Sequence, residues 1–185
     1  RGKGTFEKVM DAISLAGDAG ISVSIATMVH QGNLNEFDRM KAFIEDIGAC
    51  EWGIDALCVA GNLTQNIDLA VPPDQAAPLM HYGFGGGYHG PSDGFACGRH
   101  LMTVLPSGMG VKCGFYEDRI WGDARKNLKG CWLNLKHLPL KDLTCRDCSV
   151  IAACAGGCRF RAPNEVSPDP YMCALYGVNR GSSSI

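Results

Sequence analysis

The chain has no large excess of either charge, no long hydrophobic run and no leader-like N-terminus. Its 185 residues carry 17 Lys and Arg against 19 Asp and Glu, so nothing electrostatic favours nucleic acid or an acidic membrane as a partner. The apolar runs are far shorter than the roughly 20 residues of a spanning helix, and no charged-then-apolar stretch follows Arg1. We therefore expect a cytoplasmic protein with no nucleic-acid and no membrane partner.

The ten cysteines admit two explanations. A disulfide scaffold is one, but such scaffolds are usually secreted domains too small to hold a core. Residues 5–60 instead have the composition of an ordinary α/β protein with its own core. A reducing compartment fits this pattern better, so we expect free thiols.

The first third of the chain alternates between two hydrophobic periodicities. Apolar residues at three- and four-residue steps predict a helix over 5–16 with Thr5 as its N-cap, and a second helix that begins at Asn33 and ends at Gly48. β-branched and apolar runs predict strands buried on both faces. These strands cover 21–29 and 52–59.

The order helix, strand, helix, strand indicates the βα repeat of a parallel sheet or barrel. Two strands do not complete such a sheet, and Arg1-Gly-Lys-Gly precedes the first helix without a strand before it. We expect either a fragment of a larger protein or a sheet completed from elsewhere.

Glycine and proline dominate residues 71–96, which predicts an irregular boundary with aromatic side chains available for packing. Beyond it, strands at 100–105 and 111–114 are predicted to flank a hairpin turn at 106–110. That hairpin would bring Cys97 and Cys113 close together.

Seven cysteines follow a pattern of spacings. Two belong to C-x10-G-x4-C, four belong to C-x2-C-x5-C-x3-C, and the seventh lies beyond them. Thiolates are the preferred ligands of iron–sulfur clusters and zinc, and a short C-x2-C loop lets two sulfurs converge on one centre. Seven thiolates exceed the needs of one tetrahedral site, so two metal centres are predicted. The pattern consists of Cys97, Gly108, Cys113, Cys145, Cys148, Cys154, Cys158 and Cys173.

This pattern resembles the SPASM domain, the C-terminal extension of radical S-adenosylmethionine (SAM) enzymes. Arg1-Gly-Lys-Gly-Thr-Phe6, the strand end at 26–29 and Asn33 are similar to later βα units of the partial barrel of those enzymes. The resemblance implies an α/β fold in which the last units of a partial TIM-like barrel precede a small cysteine-rich domain of a β-hairpin and short helices around two Fe–S clusters. It divides the chain into barrel (1–70), linker (71–96) and SPASM domain (97–185).

The resemblance also implies two interleaved ligand sets, each for a [4Fe–4S] cluster. We call them the distal group, formed by Cys145, Cys148, Cys154 and Cys173, and the proximal group, formed by Cys97, Cys113 and Cys158. Cys154 and Cys158 are about one helical turn apart, so they can serve neighbouring clusters. Gly156 and Gly157 would let the backbone pass close to the metal. The alternative is one zinc knuckle of Cys145, Cys148, Cys154 and Cys158.

The proximal group lacks a fourth ligand. His89, Asp93 and Cys131 are possible substitutes, and an iron left open for a substrate thiolate is the alternative that we favour. Packing is the expected role of the remaining thiols, because free cysteine behaves as a small hydrophobe. These thiols are Cys50, Cys58 and Cys131.

Three arginines flank cluster cysteines. They either donate hydrogen bonds to cluster sulfides or counter the negative charge of the clusters, or they lie on a solvated face. They are Arg99, Arg159 and Arg161. On the SAM side of the resembled barrel, Gly61 and Asn62 would border the adenine site. Asn33 is a further candidate for that side, although a helix cap is its simpler role.

The resembled enzymes hold their catalytic cluster in a C-x3-C-x2-C loop, which this sequence lacks. The chain alone is therefore expected to be inactive, with SAM and a third [4Fe–4S] cluster bound by an N-terminal half that is absent here.

We thus expect the C-terminal portion of a radical SAM enzyme that modifies a peptide or protein, with ferredoxin or flavodoxin as the reducing partner. Its auxiliary clusters would transfer electrons, bind substrate, or do both. The alternative is a non-enzymatic electron carrier or a zinc-binding interaction module.

Overall fold

The computed structural model describes residues 2–86, 93–97 and 101–178 of a mixed α/β protein. The chain divides into two compact units. The first comprises Arg1–Leu57 and Asn66–Tyr88, and the second comprises Cys58–Gln65 and His89–Ile185.

The first unit opens with the predicted order of elements. Helix α1 (Thr5–Asp18), strand β1 (Ser24–Val29), helix α2 (Phe37–Asp46) and strand β2 (Glu51–Ala56) follow one another. The two strands pair in parallel, from Ser24 opposite Glu51 to Val29 opposite Ala56. The parallel α/β arrangement is therefore confirmed, as a sheet of two strands in the described residues.

Both strands are buried on one face only, which corrects the expectation of burial on both. In β2, Trp52 and Ile54 are buried whereas Gly53 is exposed. Trp52 stacks on Phe37 of α2 with ring centroids 6.0 Å apart, and its indole N–H donates to Oγ1 of Thr27 at 2.9 Å. The core of this unit therefore lies between α2 and one face of the sheet.

Helix α1 lies where its periodicity predicts it, but its cap differs. Gly4 occupies the N-cap position with φ +77°, and no side chain caps the helix. The Thr5 hydroxyl instead donates to the Gly2 carbonyl at 2.6 Å. No residue of α1 is buried, and Phe6 and Leu15 are 63% and 68% exposed.

Asn33 does not begin α2. It ends a short 3₁₀ helix (Gln31–Asn33), where its side chain accepts from the backbone N–H of His30 at 2.9 Å and donates to the Met28 carbonyl at 3.0 Å. Helix α2 starts four residues later at Phe37. Asn33 thus acts as a local cap, although of a different helix from the one predicted.

The stretch 71–96 contains regular structure, contrary to expectation. Helix α3 (Pro73–Met80) begins with a proline in its first turn, where the missing N–H has no helical partner to lose. Beyond it, the backbone of Phe84 exchanges two hydrogen bonds with Trp52. Gly85 then passes so close that a Cβ would lie 2.2 Å from the Cys50 carbonyl oxygen. The glycines here let the chain lie against β2.

The second unit contains the predicted hairpin and extends it. Strand β3 (Thr103–Val104) pairs antiparallel with β4 (Met109–Val111), which pairs with β5 (Ile120–Asp123). The third strand was not predicted, nor was helix α4 (Ala124–Asn134) that packs on the sheet. Short helices α5 (Ile151–Cys154) and α6 (Pro170–Leu175) complete the unit, together with 3₁₀ helices at Gly61–Gln65 and Leu140–Asp142. A further 3₁₀ helix, Ile67–Leu69, belongs to the first unit.

In the described part of the chain, no helix has both the length and the apolar character that crossing a membrane requires.

Candidate metal centres

The four thiols of the distal group line one pocket in the second unit. Apolar side chains form most of the remaining wall, together with Asp169. The lining includes Cys145, Cys148, Cys154, Cys173, Val150, Ile151, Pro168 and Met172.

Three local structures present these thiols. A tight turn, closed by the Cys148 N–H on the Cys145 carbonyl at 3.0 Å, brings the C-x2-C pair together. Cys154 is the last residue of α5, and Cys173 lies in α6. The Asp169 carboxylate caps α6 by accepting from the Tyr171 N–H at 3.0 Å, which fixes the helix that carries the fourth thiol.

The thiols of the proximal group influence one another electrostatically. Burial raises the pKa of Cys97, and the neighbouring sulfurs of Cys158 and Cys113 raise it further, while Lys112 opposes them. Such mutual effects require short distances between charges. Cys113 and Cys158 are therefore electrostatic neighbours of Cys97, and none of the three lines the pocket of the distal group.

A turn in the left-handed region separates the two groups. Ala155, Gly156 and Gly157 have φ values of +46°, +77° and +75°. The spacing suggested that Cys154 and Cys158 lie one helical turn apart. The two residues are instead separated by this turn and are not on one continuing helix. A Cβ on Gly157 would lie 2.5 Å from Cβ of Asp169, so the absence of a side chain there is a packing requirement.

Two arginines hold the surrounding loops, and neither lies on a solvated face. The Arg159 side chain is buried, and its guanidinium donates to four backbone carbonyls in total, those of Gly156, Gly157, Glu165 and Ser167. Arg161 forms a buried ion pair with Asp169. Their hydrogen bonds go to protein atoms, while their positive charges act on candidate ligand thiols: Arg159 lowers the pKa of Cys97 and Cys154, and Arg161 lowers that of Cys158. Arg99 lies outside the described residues.

One backbone donor points at a thiol of the distal group. The Gly156 N–H lies 3.4 Å from the sulfur of Cys154. Burial raises the pKa of Cys154, and this hydrogen bond lowers it in part. Backbone N–H groups that reach ligand sulfurs are among the features that set the potentials of iron–sulfur clusters.

Cys58, which was expected only to pack, contacts the proximal group. Its thiol donates a hydrogen bond to the sulfur of Cys158, and this bond is the main reason that the pKa of Cys158 falls to about 6. Sequence reasoning missed it because Cys58 lies far from the cysteine pattern along the chain and has no characteristic spacing to it.

The substitutes proposed for a fourth proximal ligand are less well placed. Cys131 is buried with 3% exposure and packs against the sheet, where a Cβ added at Gly110 or Gly122 would lie 3.3 Å or 2.9 Å from its sulfur. Asp93 is exposed. His89 lies outside the described residues.

The residues expected on the SAM side lie in different units. Asn33 is in the first unit, and its amide is engaged by Met28 and His30. Gly61 and Asn62 are exposed residues of a 3₁₀ helix in the second unit.

Among the described residues, no three His, Cys, Asp or Glu side chains converge closely enough to hold one metal ion. A tetrahedral zinc with bonds of about 2.3 Å would draw its four sulfurs to about 3.8 Å from one another. The four distal thiols line one pocket without such convergence.

No known protein family matches this chain, and no curated protein or solved structure shows significant similarity to it.

Proposed function

We propose that this chain is the C-terminal portion of a radical SAM enzyme of the SPASM type and binds two auxiliary [4Fe–4S] clusters. The observation that carries the proposal is the separation of the thiols into two groups. Cys154 faces a pocket with three other thiols of the distal group, and Cys158 joins the proximal group four residues later.

The donor set favours iron–sulfur clusters over zinc. Each group consists of thiols with no histidine among its described members, and cubane clusters are typically held by four cysteines. A zinc knuckle of Cys145, Cys148, Cys154 and Cys158 would need the last two thiols in one site, on opposite sides of the left-handed turn. It would also leave Cys97, Cys113 and Cys173 without a role.

When bound, such clusters supply one-electron redox sites. The chain would hold each cluster through its thiolates, exclude water with apolar walls such as Ile151 and Met172, and tune the distal site through the Gly156 N–H on Cys154. At the proximal site, Lys112 lies near Cys97 and Cys113, so its ammonium offsets part of the negative charge there.

The radical chemistry itself would belong to another part of the enzyme, because the chain has no C-x3-C-x2-C loop for the SAM-binding cluster. We infer a peptide or protein substrate, a ferredoxin or flavodoxin as reductant, a cytoplasmic location and a partial barrel that contains the first unit. Gly61, Asn62 and Asn33 remain the candidates for its SAM side.

Elemental analysis of anaerobically purified protein tests the proposal. About eight irons and eight sulfides per chain are expected if both sites hold cubane clusters, with a brown chromophore that dithionite bleaches. A colourless protein with about one zinc per chain would favour the interaction module instead. Iron-loaded protein from an organism with no radical SAM enzyme would favour an electron carrier.

A further inference from the structure

Cys58 is separated in sequence from every thiol of the proximal group but shares their compact unit. The chain leaves the first unit after Leu57, and Cys58–Gln65 belong to the second unit before the chain returns at Asn66. Within that excursion, Cys58 is the only residue with a metal-binding side chain of the thiol or imidazole type.

The environment of Cys58 is that of a ligand more than that of a packing residue. It is buried with 9% exposure, and its S–H donates to the sulfur of Cys158. A thiol-to-thiol hydrogen bond is weak and does little for packing. It does, however, place the Cys58 sulfur beside a thiol of the proximal group.

The alternatives for the fourth position have weaker support. The Cys131 sulfur is enclosed by the backbone of Gly110 and Gly122, so using it as a ligand would require the sheet and α4 to separate. Asp93 offers a carboxylate, which iron–sulfur clusters use much less often than thiolate.

We propose that Cys58 is the fourth thiolate of the proximal group and that this site is closed. The inference rests on the proposed function. As the cluster binds, the Cys58 S–H bond breaks, its proton leaves to solvent, and the sulfur lone pair forms the bond to the fourth iron. The proximal cluster then has no open iron for a substrate thiolate, and its role is electron transfer.

The full chain, reconstituted anaerobically with iron and sulfide, tests this inference without any assay of activity. In wild-type protein, excess cyanide should leave the EPR signals of both reduced clusters unchanged, because every iron has a protein thiolate. In Cys58→Ala, cyanide should shift one of the two signals, or the iron content should fall by one to four atoms per chain. Cys58→Ser, which keeps an oxygen donor, should retain more iron than Cys58→Ala.

Cys131→Ala and Cys50→Ala are the matched controls, since each removes a thiol that we assign to no cluster. Both should keep the wild-type iron content and resist cyanide. A cyanide-induced shift in the wild-type protein would overturn the inference, and so would a Cys58→Ala variant indistinguishable from wild type. Loss of iron from Cys131→Ala but not from Cys58→Ala would assign the fourth position to Cys131. A wild-type chain that binds no iron would instead refute the proposed function.

Discussion

Arg161 and Asp169 form a buried ion pair, with Nη2 of Arg161 2.9 Å from Oδ2 of Asp169. The same carboxylate oxygen accepts the backbone N–H of Cys158 at 2.8 Å, and Oδ1 caps α6 through the Tyr171 N–H. One side chain therefore links the helix that carries Cys173 to the loop that carries Cys158. The two candidate metal centres therefore share a support.

Asp169→Ala should destabilise the loaded protein strongly. The substitution leaves the Arg161 guanidinium buried without its carboxylate, and breaking such a buried pair from one side costs about 3–5 kcal/mol. The melting temperature by circular dichroism measures the effect. Asp147→Ala is the control, because the Asp147 side chain is 92% exposed and its pair with Arg146 is held at 3.5 Å. That variant should melt like wild type, and an equal loss in both would contradict the role given to Asp169.

Gly157→Ala should cost more stability than Gly177→Ala. Both glycines have positive φ, +75° and +64°, which costs roughly 1–2 kcal/mol for a residue with a Cβ. At Gly177 the added methyl meets nothing within 4 Å, whereas at Gly157 it would lie 2.7 Å from Cγ of Met172. The difference between the two variants in melting temperature isolates the cost of the close contact. Equal losses would mean that the loop at Gly157 relaxes freely.

Cys173→Ala should remove the distal cluster and leave the proximal one. Iron per chain is then expected to fall by about half, because one of the two cubanes, with its four irons, is lost. Residues 145–173 should also become more susceptible to proteolysis, because small metal-bound segments depend on their metal for folding. Cys50→Ala provides the comparison, since this exposed thiol lies in the first unit and donates to the Val23 carbonyl. Full iron content in Cys173→Ala would show that the distal ligand set is wrong.

Lys112→Gln should lower the reduction potential of the proximal cluster. Burial lowers the pKa of Lys112, and the nearby sulfurs of Cys97 and Cys113 raise it, so a positive charge lies where an added electron would be stabilised. Lys112→Arg keeps that charge and should keep the potential. Redox titration followed by EPR measures the shift, with the exposed Lys141→Gln as control. An unchanged potential in Lys112→Gln would place the ammonium too far from the cluster to act on it.

Most of the structural predictions from sequence came from two features, the hydrophobic periodicity and the cysteine spacing. The parallel pair β1 and β2 followed from apolar runs and short links, and the hairpin β3 and β4 followed from its turn residues. The grouping of the thiols came from the resemblance and remains a prediction, although the four distal thiols line one pocket.

The rest depended on tertiary contacts that no local pattern encodes. Sequence reasoning missed α3 because it took the prolines as a sign of irregular structure. Pro73 instead occupies the first turn of the helix, where proline is favoured. Helix α4 is interrupted at Asn127, whose φ of −154° breaks its periodicity. Cys58 comes near the proximal group because the chain passes from the first unit to the second at this point. No sequence pattern indicated the role of Asp169, because its three partners are brought to it only by the fold.

Mössbauer spectroscopy of the anaerobically reconstituted protein, combined with iron, sulfide and zinc analysis, distinguishes two cubane clusters from a zinc site or a single cluster. The presence of two auxiliary clusters requires all bound iron to lie in [4Fe–4S] clusters, at about eight irons per chain, with no stoichiometric zinc. A chain that binds about one zinc and no iron, or that holds a single cluster however fully it is reconstituted, would contradict it.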